Sequence, residues 1–237
     1  MKLRTQLSAL MFMGLLAATL SASFAAQAHT ASDFYGPKWG QNHLNPKWRF
    51  ISDFPNGNGQ RSRMQDGKQQ WNQLGQPMSF NYDNANGDYA DFPFLSCPRK
   101  ADGTPDAEKD GVHWGYIDGN LGTAGQTLVC SFADAGGTDS NSIANFQIKM
   151  DSGDNWYTGT GTPGTNQADM WSVAAHEFGH ATGRVKGGDG QGHFPDSWAV
   201  CNQTASEWHT MCKTGIAGTT WGRSLEAHDK DTFDNAY

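Results

Sequence analysis

Apolar and polar positions alternate over short runs along much of the chain, and helical spacing appears in three places. Residues 47–51 (K-W-R-F-I) predict a first strand, and residues 78–82 (M-S-F-N-Y) a second. Further strands are expected over 112–117 and 127–132. Over 145–150, Phe146, Ile148 and Met150 fall on one face and Gln147 and Lys149 on the other, the pattern of a half-exposed strand. Met64, Trp71 and Leu74 lie near helical spacing and predict a helix over 61–74, although Gly67 is unfavourable within it. Gly75-Gln76-Pro77 ends that helix. Met170, Val173, Ala174, Phe178 and Ala181 mark a second helix, capped by Thr165 or Asn166 and closed at Gly183 in a left-handed conformation. Residues 224–235 predict a closing helix.

The segments between these elements are rich in Gly, Asn, Asp and Pro and are expected to be turns and loops. The stretch 83–111 is long enough that a functional or covalently stapled loop is expected. A chain of 237 residues with this pattern fits one α+β domain with long loops.

The N-terminus is read separately. Lys2 and Arg4 precede an apolar run over 7–20, and Ala26-Gln27-Ala28 follows as an A-x-A site. Residues 1–28 therefore predict a secretory signal peptide, with the domain occupying 29–237. No later stretch is apolar enough to cross a bilayer, so a secreted protein free of the membrane is expected. The net charge is −7, and removing Lys2 and Arg4 makes it −9. Acidic residues without a basic run argue against a nucleic-acid partner. Nothing in the pattern signals an oligomer, so a monomer is expected. The four cysteines, Cys97, Cys130, Cys201 and Cys212, all lie after the signal segment. In an oxidising compartment two disulfides are expected. Sequence proximity favours Cys97–Cys130 and Cys201–Cys212.

Residues 176–180 read His-Glu-Phe-Gly-His. On a helix, positions i and i+4 share a face, so His176 and His180 suit two corners of a zinc site. Glu177, one residue past the first histidine, is placed to act as general base on water activated by zinc.

Residues 173–183 (V-A-A-H-E-F-G-H-A-T-G) resemble the metal helix of the metzincin zinc endopeptidases, and within them the matrixins. Residues 169–175 (D-M-W-S-V-A-A) resemble the run that precedes that helix. Upstream, Ile117-Asp118-Gly119, then Gly125-Gln126-Thr127-Leu128, then Met150-Asp151 and Asp154-Asn155-Trp156 are similar to matrixin segments in the same order. The likeness is strong over about 112–183 and loose elsewhere. It implies a metzincin-like zincin: a twisted mixed β-sheet, the metal helix beneath it, and a cleft against a loop-rich C-terminal half.

The resemblance also implies site residues. Gly183 matches the glycine that ends the family's metal helix. The third-ligand position falls on Lys186, whose ammonium cannot ligate zinc. His193 is the nearest substitute, with Asp189, Asp196 and His209 as competitors. Met211 resembles the methionine of the turn beneath the metal. Asp118, Asp151 and Asp154 match the acids of a calcium site, whose hard oxygen ligands suit Ca²⁺. The family's structural zinc is not expected, because its histidine positions fall on Gly111, Cys130 and Lys149. The implied activity is hydrolysis of extracellular proteins or peptides by a secreted zinc endopeptidase. The substrate would lie extended along residues 145–150, taken as the edge strand. Two other classes remain open: a non-catalytic zinc protein of this fold, suggested by Lys186, and a secreted carbohydrate-binding module, suggested by nine tryptophans.

Overall fold

The computed structural model describes residues 34–94, 97–104, 106, 109–118, 123–132, 142–185, 210–212, 217–234 and 237. The signal segment 1–28 lies outside them. The elements in chain order are β1 (Phe34–Lys38), a short 3₁₀ turn (Gln41–His43), β2 (Lys47–Phe50), α1 (Gln60–Asn72), β3 (Asn81–Tyr82), β4 (Asp110–Gly115), β5 (Gly125–Ser131), β6 (Ile143–Asp151), β7 (Trp156–Tyr157), β8 (Ala168–Asp169), α2 (Met170–Thr182), β9 (Gly183–Val185) and α3 (Ala227–Asp234).

Five strands form one sheet in the order β3-β2-β4-β6-β5. The pairings β2–β3, β2–β4 and β4–β6 are parallel, and β5 runs antiparallel to β6. The sheet is therefore mixed, compatible with the α+β class. This order corrects one expectation. β6, which contains residues 145–150, is interior, paired on both sides, whereas β5 is the antiparallel edge. An alternating pattern shows which side chains share a face, but it carries no information about how many neighbours the backbone has.

Both helices pack on one face of the sheet. Phe178 of α2 meets Trp48 at 5.1 Å, Phe80 at 5.1 Å and Phe146 at 6.0 Å between ring centroids. All four rings are fully buried, and burying each is worth about 1.5–3 kcal/mol. The two helices cross closely at Gly67, where a Cβ would fall 2.5 Å from the Ala175 amide nitrogen. The glycine that weakens α1 as a helix is what lets α2 approach it. Trp71 Nε1 donates to the Ala175 carbonyl at 2.8 Å and reinforces the crossing.

The opposite face is covered rather than half exposed. Asn145 and Gln147 are both 0% exposed. The segment between β3 and β4 lies over them, with Phe92 and Phe94 packed on His113 of β4. This cover is stapled by the Cys97–Cys130 disulfide, as sequence proximity suggested. Cys212 is disulfide-bonded too, and its expected partner, Cys201, lies outside the described residues.

α2 begins at a different cap from the one expected. Asp169, not Thr165 or Asn166, is the N-cap, and its carboxylate accepts from the Ser172 amide at 3.0 Å. Arg223 grips the same carboxylate through Nε at 2.9 Å and Nη2 at 2.5 Å. The cap is thus fixed by a residue 54 positions later in the chain. At the other end Gly183 has φ 145° and ψ 172°. That is glycine-only backbone, but extended rather than the left-handed turn expected. It sends the chain directly into β9, which pairs antiparallel with β1. The chain ahead of β2, where no element is predicted, therefore contains a strand.

Candidate metal centre on helix α2

α2 presents His176 and His180 one turn apart, and their Nε2 atoms lie 3.1 Å from each other. Two nitrogens bound to one tetrahedral zinc at about 2.0–2.1 Å would stand roughly 3.3 Å apart. The pair is therefore already close to ligand spacing. His176 Nδ1 lies 2.6 Å from the Thr210 carbonyl oxygen, an acceptor only. This ring nitrogen must carry the proton, so Nε2 of the neutral ring keeps its lone pair for a metal. His176 is buried and packs edge-on to Trp221 at 5.7 Å.

The segment holding Thr210 is itself held. Asp229 of α3 is buried, and its carboxylate accepts from the amides of Thr210 at 2.9 Å, Met211 at 3.4 Å and Glu226 at 3.1 Å. Met211 is buried, with its sulfur against Gly179 on the histidine face of α2.

Glu177 points toward β5. Thr127 Oγ1 donates to its Oε2 at 2.6 Å and lies 3.0 Å from its main-chain oxygen. Oε1 lies against Gly125, where a Cβ would come within 2.6 Å of it. Burial pushes the carboxyl up to about 7, and the Thr127 hydrogen bond pulls the other way. A carboxyl poised near neutrality can both take and return a proton. Thr127, Gly125, Thr210 and Asp229 all support this centre, and no spacing rule in the sequence pointed to them.

His193, the expected third ligand, lies outside the described residues, as do Lys186, Asp189, Asp196 and His209. The fit to zinc thus rests on two converging nitrogens, one with its tautomer set by a carbonyl. The residues expected to hold calcium, Asp118, Asp151 and Asp154, all lie among the described residues. Asp151 is fully buried, and its carboxylate accepts from the amides of Ile117 at 3.0 Å, Asp118 at 2.8 Å and Gly153 at 2.8 Å. It joins the Asp118 segment to the end of β6 through main-chain amides. Among the described residues, one trio of ligand-type side chains converges, and it is Asp53, Asp91 and His113.

None of the tryptophans among the described residues is exposed. The tryptophans that suggested a carbohydrate module are thus buried or half-buried in that part of the chain. Among the same residues, no helix is long and apolar enough to cross a membrane. The chain matches no protein-family model and no curated protein.

Proposed function

We propose that the chain is an exported zinc-dependent endopeptidase of the metzincin, matrixin-like type. The observation that carries this reading is the His176–His180 pair, with Nε2 atoms 3.1 Å apart and the His176 tautomer set by the Thr210 carbonyl. The mixed sheet with α2 packed against it also supports it. His176 and His180 would hold Zn²⁺ through Nε2, with His193 as third ligand. A bound zinc supplies Lewis acidity toward a peptide carbonyl and lowers the pKa of a water it holds.

Glu177 takes the proton of the attacking water on its carboxylate and returns it to the nitrogen of the leaving amine. Thr127 steers that carboxylate from the neighbouring strand. Protein or peptide substrates lie extended along β5, the edge strand among the described residues, adding a strand to the sheet through main-chain hydrogen bonds. This places substrate on residues 125–131 instead of 145–150. Calcium at Asp118, Asp151 and Asp154 belongs to the proposal on ligand type alone.

The test is cleavage of an unfolded generic protein by the purified chain from His29, with Glu177→Ala alongside. The variant is expected to keep zinc and lose about 10²–10⁴-fold in rate. A zinc-loaded wild type that cleaves nothing would favour the non-catalytic zinc protein. Cleavage that survives in the variant would remove Glu177 from the role of base.

A further inference from the structure

The sheet's covered face brings together three groups that the zinc reading leaves unused. Ile51 forms a parallel bridge with Tyr89, with Tyr89 N donating to the Phe50 carbonyl at 2.9 Å and Ser52 N to the Tyr89 carbonyl at 3.0 Å. Asp53 and Asp91 each lie two residues beyond that bridge, so the two carboxylates leave neighbouring tracks at the same level. On the other side of β2, Phe50 is in register with Val112, which brings His113 beside Ile51. Asp53 and Asp91 thus emerge just beyond the carboxyl ends of adjacent parallel tracks, with His113 beside them within β4.

The geometry follows from that placement. One ring nitrogen of His113 and one carboxylate oxygen from each aspartate lie within 4.8 Å of one another. Both aspartates are exposed, whereas His113 is 4% exposed; the Gln147 side chain is hydrogen-bonded to its ring, and Nε2 has no hydrogen-bond partner. Phe92 and Phe94 close over the ring at 5.0 and 5.6 Å. Asp53 Oδ1 also accepts from the Trp114 amide at 3.4 Å. Two positive groups lie near the cluster: Lys149, in register with His113 on β6, its Nζ 5.7 Å from the Phe94 ring centroid, and Lys109, its Nζ 5.7 Å from the Phe92 ring centroid.

A buried imidazole with an unused nitrogen and two like-charged carboxylates converging beside it is an arrangement that a cation would complete. Ligands of one zinc at about 2.0–2.2 Å stand roughly 3.3–3.5 Å apart. The exposed aspartate side chains can close that gap by rotamer change while the ring stays fixed. One imidazole and two carboxylates suit a first-row divalent transition metal better than magnesium, which takes oxygen ligands. We propose that Asp53, Asp91 and His113 form a second divalent-metal site, which clamps the cover segment to the sheet. It is independent of His176 and His180 and does not rest on the peptidase reading.

The experiment is calorimetric titration of the chelator-stripped chain from His29 with zinc chloride alone. Asp53→Asn and Asp91→Asn are compared with wild type, because both are surface changes that leave the core intact. Each is expected to bind one zinc equivalent fewer, or to weaken one equivalent by at least about tenfold. His176→Gln is expected to keep this equivalent, and adding Asp91→Asn to it removes the equivalent. Zinc should also raise the melting temperature of His176→Gln, and not that of the double variant. If both asparagine variants bind as many equivalents as wild type at unchanged affinity, the proposal is overturned. The carboxylates are then balanced by the neighbouring lysines, Lys149 and Lys109.

Discussion

The two faces of the sheet are held by different physics. On the helix face, Trp48, Phe80, Phe146 and Phe178 interlock, and Gly67 lets α1 and α2 touch. On the other face no helix packs among the described residues. Asn145, Gln147 and His113 are buried beneath an irregular segment, which a disulfide and two phenylalanines hold down. Periodic apolar packing builds the side that carries the histidine pair. Covalent linkage and individually placed contacts build the side that has no such periodicity.

The strongest way to break the helix face is Gly67→Val. The new side chain meets main chain at 2.5 Å, which cannot give. A loss of more than about 4 kcal/mol in urea unfolding is expected, together with loss of zinc binding. The covered face is tested by Cys97→Ser/Cys130→Ser. The bridge spans 33 residues, so chain-entropy reasoning gives a loss of about 3–4 kcal/mol. A loss below about 1 kcal/mol would mean that the cover is held without it.

Smaller changes sharpen the contrast. Thr127→Val removes the hydrogen bond that favours the charged form of Glu177. The carboxyl then protonates more readily, and the acid limb of the cleavage profile should move to higher pH. An unmoved limb would detach Thr127 from the base. Asp110 on β4 is fully buried, and burial raises its pKa well above the usual value against one hydrogen bond from the Phe146 amide. The folded state therefore holds a proton that the unfolded chain has lost. That contribution is complete below about pH 4 and fades as pH rises through the raised value, so stability declines over this window. Asp110→Asn, which keeps an acceptor for Phe146, should flatten that decline in melting temperature against pH.

The helix face was largely legible in the sequence. Met64 and Trp71 marked α1, and the residues predicted to bury α2 do so. His176 and His180 needed only the four-residue spacing. The covered face was not legible, because Gln147 and Lys149 look like solvent-facing residues until something lies on them. The identity of the edge strand depends on pairing order, which alternation does not encode. Asp169 was passed over as a cap because what fixes it is Arg223, supplied from far along the chain. Thr127 lies 50 residues from Glu177, with no motif linking them.

The β1–β9 ribbon has a consequence for how the chain folds. Trp39 Nε1 donates to the Ala181 carbonyl at 2.7 Å across 142 residues, and the Trp39 amide reaches the Tyr237 hydroxyl across 198. Tyr237 in turn donates to the Thr182 carbonyl. These contacts close very large loops, so their entropy must be met before they return anything. The segment that follows the first strand waits for Tyr237. A chain emerging from its N-terminus onward cannot complete the exit of the histidine helix until Tyr237 has also emerged, which makes that exit one of the later parts of the domain to settle.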